Sequence, residues 1–162
     1  LAPSEMCIRD SFWVDPHAAA QHFHSSAPRV PTTLCSLELT EQFLITPQRL
    51  EAVIELLHGH PMAHILPDVL RYYFEFHQAQ GEGYQAQIHD LLTCMIALKQ
   101  IDFEVVETTV DVEAESPLLR GTSVADLRNH WGRARNARLV TSADMEAAHQ
   151  ECLRGFTLLA SR

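Results

Sequence analysis

Apolar runs of strand length alternate with stretches of helical period along most of this chain. The run "FWV" has the pattern of a strand end, and Asp15-Pro16 then supplies an N-cap and a first-turn proline for a helix over "HAAAQHF". The β-branched and apolar run "VPTTLCSLEL" predicts a strand, after which Thr46-Pro47 opens a second helix. This alternation favours an α/β domain, in which helices cover the faces of a sheet.

Further along the chain, helices come first and strands afterwards. An apolar stripe predicts a third helix, and its members are Met62, Ile65, Leu66, Val69, Leu70, Tyr73 and Phe76. A compact helix, "LLTCMIAL", follows Ile88-His89-Asp90. The remaining elements are the strand patterns "FEVVETTVDVEA", "TSVADLR" and "ARLVTS" and the amphipathic helix "SADMEAAHQECLRGFTLLA". Because the strands cluster, we expect an open α/β sheet with a partly antiparallel extension.

Composition and charge limit the class of function. With 162 residues, of which 46% are apolar, the chain is expected to form one globular domain. Twelve basic residues against 21 acidic ones give a formal charge of −9, which disfavours binding to nucleic acid or to anionic lipid. No apolar stretch approaches the length of a bilayer span and no secretory signal opens the chain, so a cytoplasmic location is expected.

The cysteines and most of the histidines do not indicate a metal site. Cys7, Cys35, Cys94 and Cys152 lack CxxC spacing and are expected to be reduced, mostly buried thiols. Closely spaced histidines lie near predicted helix ends, where an imidazole suits the terminal carbonyls, so a structural role is expected for them. They are His22, His24, His58, His60 and His64.

The pair His89-Asp90 differs from the other histidines in its position. It follows a glycine-containing loop and begins a predicted helix, so both side chains are expected at the rim of the sheet, where α/β proteins bind ligands. A carboxylate there suits a hard cation, and an imidazole beside it suits proton transfer near neutral pH. The alternative is an ordinary aspartate helix cap with a neighbouring histidine.

The start of the chain has a different character. Residues 6–11, "MCIRDS", resemble the translation of a transposase adapter used to prepare sequencing libraries. We therefore expect residues 1–11 to be an adapter-derived scar and residues 12–162 to be native sequence. A natural N-terminal arm is the alternative.

Four stretches carry a family resemblance: "FWVDPHAAAQHF", "VPTTLCSLELTEQFLITPQRL", "IHDLLTCMIAL" and "TTVDVEAESPLLRGTSVADLR". In order and spacing they resemble the C-terminal half of the inosine/uridine-preferring nucleoside hydrolases, whose pattern includes a D-P-E-A-A helix, an L-D-V-T strand end, an H-D pair and a V-D-V-E segment. The resemblance implies a partial Rossmann-like open sheet without its N-terminal half, bound Ca²⁺, and hydrolysis of the N-glycosidic bond between ribose and base. It also implies a role in purine or pyrimidine salvage and a homodimeric or homotetrameric parent protein.

The resemblance assigns roles to four residues. His89 matches the histidine that contacts the leaving base as a general acid or base, and Asp90 matches a calcium-ligating aspartate. Tyr73 and His77 fall where family members place substrate-contacting residues on a mobile helix. For Tyr73 the alternative is core packing, and for His77 it is a solvent-facing position. Thr40, which ends the predicted "LELT" strand, matches a family threonine and is expected to be structural.

Four further positions match family motifs, and two features of the family's active site are missing. Asp111, Glu113, Arg120 and Asp126 match family motifs and are expected to be structural. The family's remaining calcium ligands and its water-activating aspartate come from an N-terminal D-x-D-x-x-x-D-D motif, which this sequence lacks. The family's ribose-binding E-F-N asparagine coincides with Ser11. The chain is therefore predicted to be an inactive fragment of a calcium-dependent nucleoside hydrolase, with apolar surface exposed.

Two other functions stay open from the sequence. The first is a degenerate relative that binds a nucleoside or pentose without cleaving it. The second is a self-contained α/β interaction domain whose family likeness is accidental. Burial of Tyr73, His89 and Asp90 away from any cleft would favour the second alternative. The sequence does not decide between purine and pyrimidine substrates.

Overall fold

The computed structural model describes residues 9–24 and 31–161, and side chains from residue 11 onward. Cys7 and residues 1–8 of the expected scar lie outside the described residues. The helices are α1 (Arg9–Val14), α2 (Pro16–His24), α3 (Leu37–Thr40), α4 (Pro47–Leu56), α5 (Met62–Ala79), α6 (His89–Ala97) and α7 (Met145–Ala160). The strands are β1 (Thr33–Cys35), β2 (Leu44–Ile45), β3 (Ala86–Gln87), β4 (Phe103–Thr108), β5 (Val110–Val112), β6 (Ser123–Ala125) and β7 (Ala137–Ala143).

The described strands form open sheets of mixed direction. The largest has the order β1-β7-β4, with β1 parallel to β7 and Leu34 opposite Leu139. The pairs β2-β3 and β5-β6 are both antiparallel. The expected α/β class is therefore confirmed, but a single continuous sheet is not formed within the described residues. Several of these strands are only two or three residues long, which is too short to propagate a wide sheet.

The chain divides into two compact units. Unit 1 comprises the described parts of residues 1–36 together with 104–142, and unit 2 comprises residues 37–103 and 143–162. The core of unit 1 is built on Phe23, Val110, Val112 and Ala137. The core of unit 2 is built on Ile45, Leu50, Phe74 and Ala86. Each unit thus buries its own apolar cluster.

Two segments predicted as strands are helical. The run "FWV" lies in α1, where Arg120 donates to the carbonyl oxygens of Trp13 (3.0 Å) and Val14 (3.4 Å). These bonds satisfy carbonyls that a helix C-terminus otherwise leaves unpaired, which favours the helical turn. The run "LELT" forms α3, so the predicted strand over "VPTTLCSLEL" is confirmed only at β1. Thr40 ends a helix, not a strand.

The helix caps were predicted correctly. The Asp15 carboxylate accepts from the backbone N–H of Ala18 at 2.9 Å, and Thr46 accepts from that of Arg49 at 3.4 Å. Asp144 caps α7 by accepting from Ala147 N–H at 2.9 Å. Such caps supply partners for first-turn N–H groups and contribute about 1 kcal/mol each.

The buried face of α5 differs by one position from the predicted stripe. Phe74 and His77 are buried, while Ile65, Val69 and Tyr73 are exposed by 49%, 50% and 37%. The core of unit 2 is contacted by Leu66 and Leu70, which share a helical face with Phe74. The predicted stripe is therefore partly exposed on α5, and an apolar surface exposed by a missing N-terminal half stays a prediction.

Cys94 and Cys152 are free thiols. Cys152 is buried, Cys35 is half-buried and Cys94 is exposed, so the expectation of mostly buried thiols is wrong at Cys94. Within residues 9–24 and 31–161, no helix is long and apolar enough to cross a membrane.

Candidate active site

His89 is positioned by a short stretch of sheet immediately before it. Gln87 pairs with Leu44 between β3 and β2, and the N–H of Ile88 donates to the carbonyl of Phe43 at 3.0 Å. His89 is then the first residue of α6, and its side chain is half-buried. The backbone on the N-terminal side of His89 is thus fixed by hydrogen bonds within unit 2.

The imidazole of His89 makes one side-chain hydrogen bond. Its Nδ1 lies 3.1 Å from Oγ1 of Thr40, a residue 3% exposed at the end of α3. Its Nε2 makes no hydrogen bond among the described residues, where the only buried side-chain oxygen or nitrogen without a partner is Oγ1 of Thr122. Nε2 of His89 is therefore at least partly accessible to solvent and free to contact a ligand.

Asp90 presents an open carboxylate beside this ring. The residue is exposed in the first turn of α6, and its side chain makes no hydrogen bond or ion pair with the described part of the chain. Burial lowers the pKa of His89, the negative charge of Asp90 opposes this shift, and His77 adds to it. The neutral imidazole is consequently favoured more than in a free histidine.

His77 contacts Glu82, a residue that the sequence analysis did not select. His77 is 6% exposed at the end of α5, and its Nδ1 lies 2.6 Å from the Glu82 carboxylate. Glu82 also accepts from Nε2 of Gln87 at 3.4 Å. The pair therefore connects the end of α5 to β3, and the solvent-facing alternative for His77 is wrong.

An acidic residue next to Thr40 belongs to the same neighbourhood. Burial raises the pKa of Glu41, repulsion from Glu82 and Glu38 raises it further, and His77 opposes the shift. Since His77 and Glu82 also influence the pKa of His89, these side chains share one electrostatic environment. The sequence offered no signal for Glu41, which follows the matched Thr40 in a turn.

Tyr73 lies on the exposed face of α5. Its ring packs edge-on against Tyr72, with centroids 6.2 Å apart. The core-packing alternative for Tyr73 is therefore wrong. The structure thus brings His77, His89 and Asp90 into one neighbourhood and leaves Tyr73 on the surface of the helix that carries His77.

The described residues do not complete a calcium site. Ca²⁺ takes about six to eight oxygen ligands. Within residues 9–24 and 31–161, no group of three or more His, Cys, Asp or Glu side chains is placed to hold a metal ion. Asp90 offers one carboxylate, which does not suffice.

A separate cleft of about 590 Å³ lies in unit 1 and includes none of the predicted site residues. Its polar lining includes His17, His24, Asp111, Glu113 and Trp131. Asp111 pairs with Arg133 at 2.9 Å and with His24 at 3.1 Å. Oε1 of Glu113 accepts from two backbone N–H groups, at 2.7 and 2.9 Å. Because these carboxylates already have partners, the cleft is a weaker candidate for chemistry than His89 and Asp90.

The fold is that of solved nucleoside hydrolases. The purine-preferring ribonucleoside hydrolase from Gardnerella vaginalis matches with a TM-score of 0.71 and 21% identity, over 90% of this chain and 44% of that one. The plant nucleoside hydrolase PpNRh1 matches with a TM-score of 0.69 and 16% identity, over 90% of this chain and 46% of that one. At these identities the likeness establishes the fold alone.

The sequence then establishes the family. Residues 11–150 match the inosine-uridine preferring nucleoside hydrolases, and the chain belongs to this family. It is 29% identical over 138 residues to the pyrimidine-specific ribonucleoside hydrolase RihA of Klebsiella pneumoniae, covering 85% of this chain and 43% of that protein. RihA of Salmonella typhi is 28% identical over 137 residues, covering 84% and 42%. The chain thus spans less than half the length of these relatives.

Proposed function

We propose that the whole protein is a nucleoside N-ribohydrolase, which cleaves the N-glycosidic bond of a ribonucleoside to give ribose and free base. Family membership supports this proposal. The observation that carries it is the placement of His89 and Asp90 at the start of α6, one with an open ring nitrogen and the other with an open carboxylate. In unit 1, by contrast, Asp111 and Glu113 are engaged by the fold itself.

In this proposal His89 supplies a proton to the departing base. Cleavage of a glycosidic bond through an oxocarbenium-like transition state is assisted by protonation of the leaving group. Tyr73 offers an exposed ring that suits stacking on a base. Substrate contact by His77 stays a prediction, and it requires that the Glu82 contact open, because His77 is buried against it.

Calcium belongs to the proposal for the whole protein, with Asp90 as one of several oxygen ligands. The described residues do not complete that site, so we expect the 162-residue chain alone to show no turnover. A homodimeric or homotetrameric assembly and a cytoplasmic location also stay predictions.

The test measures release of free base from uridine and from inosine by the purified whole protein. The reactions are run with and without added Ca²⁺, and the base is detected by chromatography. We expect calcium-dependent release of base from at least one nucleoside. Binding of nucleoside without release would contradict hydrolysis and favour the alternative, a nucleoside- or pentose-binding protein. An accidental family likeness is ruled out by the match over residues 11–150.

A further inference from the structure

The hydroxyl of Thr40 lies between two groups but carries only one proton. Its Oγ1 is 3.3 Å from the carbonyl oxygen of Leu37 and 3.1 Å from Nδ1 of His89. A carbonyl oxygen only accepts hydrogen bonds, whereas Nδ1 of a histidine accepts or donates according to its protonation. The Leu37 carbonyl also accepts from Glu41 N–H at 2.9 Å, and its second lone pair remains for the hydroxyl. The direction of the Thr40 bonds therefore determines which nitrogen of His89 carries the proton.

Only one arrangement makes both contacts hydrogen bonds. When Thr40 donates its proton to the Leu37 carbonyl, its oxygen accepts from Nδ1–H of His89, and both contacts are satisfied. When Thr40 donates instead to an unprotonated Nδ1, no proton lies between its oxygen and the Leu37 carbonyl, and that contact is no longer a hydrogen bond. The position of Oγ1 between the two groups therefore favours a proton on Nδ1.

We infer that Thr40 is a positioning residue that holds neutral His89 in the Nδ1–H tautomer and presents Nε2 as the nitrogen that exchanges protons with a ligand. In the reaction, which rests on the proposed function, the acid is the doubly protonated ring: its Nε2–H bond breaks, the proton passes to a nitrogen of the departing base, and His89 is left as the neutral Nδ1–H tautomer. The electron pair of that bond stays on Nε2. Because Thr40 is 3% exposed, it acts through His89 and does not touch substrate.

The test reads the tautomer directly in the whole protein, without added metal or nucleoside. Long-range proton–nitrogen correlation spectra of ¹⁵N-histidine-labelled protein, recorded at pH 8, distinguish a protonated from an unprotonated ring nitrogen. The His89 signals are assigned by their loss in His89→Gln. We expect Nδ1 to be protonated and Nε2 unprotonated. A neutral His89 that carries its proton on Nε2 overturns the inference without any further variant.

Three variants sharpen the measurement. Thr40→Val removes the acceptor and is expected to shift the Nδ1 signal towards the unprotonated position, while Thr40→Ser restores the wild-type spectrum. Thr93→Val is the matched control, since the Thr93 hydroxyl donates to the backbone carbonyl of His89 at 3.2 Å and not to its ring. An unchanged tautomer in Thr40→Val, or an equal shift in Thr93→Val, contradicts the inference.

The tautomer measurement needs neither metal nor nucleoside. If Nδ1 is protonated but the protein releases no base, the proposed hydrolysis is contradicted and the role of Thr40 is supported. Conversely, if the protein releases base but neutral His89 is protonated at Nε2, hydrolysis is supported and the positioning role of Thr40 is contradicted.

Discussion

Unit 1 and unit 2 both contain the aspartates and histidines of family motifs, but the two sets have different surroundings. In unit 1, the Asp126 carboxylate accepts from the backbone N–H groups of His130 at 2.9 Å and Trp131 at 2.7 Å, and Asp111 pairs with Arg133. In unit 2, Asp90 has no such partner among the described residues, and His89 is held through Nδ1 alone. The fold thus uses the carboxylates of Asp111 and Asp126 in unit 1 for itself and leaves that of Asp90 in unit 2 open.

This difference shows that residue type and motif membership do not by themselves identify a functional group. A carboxylate that accepts several backbone N–H bonds holds a loop together, and another ligand would have to displace those bonds. A carboxylate without partners at the start of a helix is available to a cation or substrate. Paired substitutions in the two units test this difference.

The largest expected effect is on catalysis by the whole protein. His89→Gln removes the proton donor, and we expect kcat to fall by about 10² to 10⁴-fold. His24→Gln is the matched control, because His24 faces Asp111 in unit 1 at 3.1 Å. It should leave kcat nearly unchanged. Base release measures kcat in both variants. An equal loss of kcat in the two would contradict a functional difference between the units.

The next largest effect is on the stability of unit 1. A Cβ added to Gly121 would lie 2.6 Å from the backbone N and Cα of Trp13, and Gly121 has φ +75°. Gly121→Ala should therefore lower the free energy of unfolding by about 3 kcal/mol. Gly132→Ala is the control, with φ +60° and nothing within 4 Å, and should cost about 1 kcal/mol. Urea unfolding measures both, and equal costs would show that the contact with α1 is unimportant.

The smallest effect is a pH dependence. Burial acts to raise the pKa of Asp111, but Arg133, the N–H of Val112 and His24 outweigh it and hold the pKa below its usual value. The carboxylate therefore stabilises the folded chain above the unfolded pKa of about 3.9, and this contribution is lost as the pH falls through the folded pKa. Because the side chain is partly exposed, the contribution at pH 7 should be below about 1 kcal/mol.

Asp111→Asn should thus be slightly less stable than the wild type at pH 6 and should lose less stability on acidification below about pH 4. Urea unfolding at a series of pH values, from about pH 6 to well below about pH 4, compares the two proteins. Parallel stability curves would contradict a role for Asp111 in holding unit 1 together.

Much of the fold followed from local sequence chemistry. The caps at Asp15 and Thr46 and the α/β class were predicted because they depend on a few neighbouring residues. The helical state of "FWV" was not predicted, since its carbonyls are satisfied by Arg120, more than 100 positions along the chain. The buried face of α5 was misplaced by one position because neighbouring elements, not the stripe itself, decide which side packs.

The candidate site was predicted in part. His89 and Asp90 were selected by their motif, and the structure adds the reason that they are available. The roles of Glu82 and Glu41 and the hydrogen bond between Thr40 and His89 were missed, because they depend on contacts that only the folded chain forms. Thr40 and His89, for example, are 49 positions apart. Spacing along the chain gives no information about which hydroxyl meets which ring nitrogen.

The central claim is that the open carboxylate of unit 2 serves a ligand, whereas the paired carboxylates of unit 1 serve the fold. The most direct measurement is the Ca²⁺ concentration needed for half-maximal base release by the whole protein, in Asp90→Asn and in Asp126→Asn. We predict that Asp90→Asn raises this concentration by about tenfold or more, and that Asp126→Asn leaves it unchanged. An unchanged calcium requirement in Asp90→Asn, or an equal rise in both variants, would contradict the account.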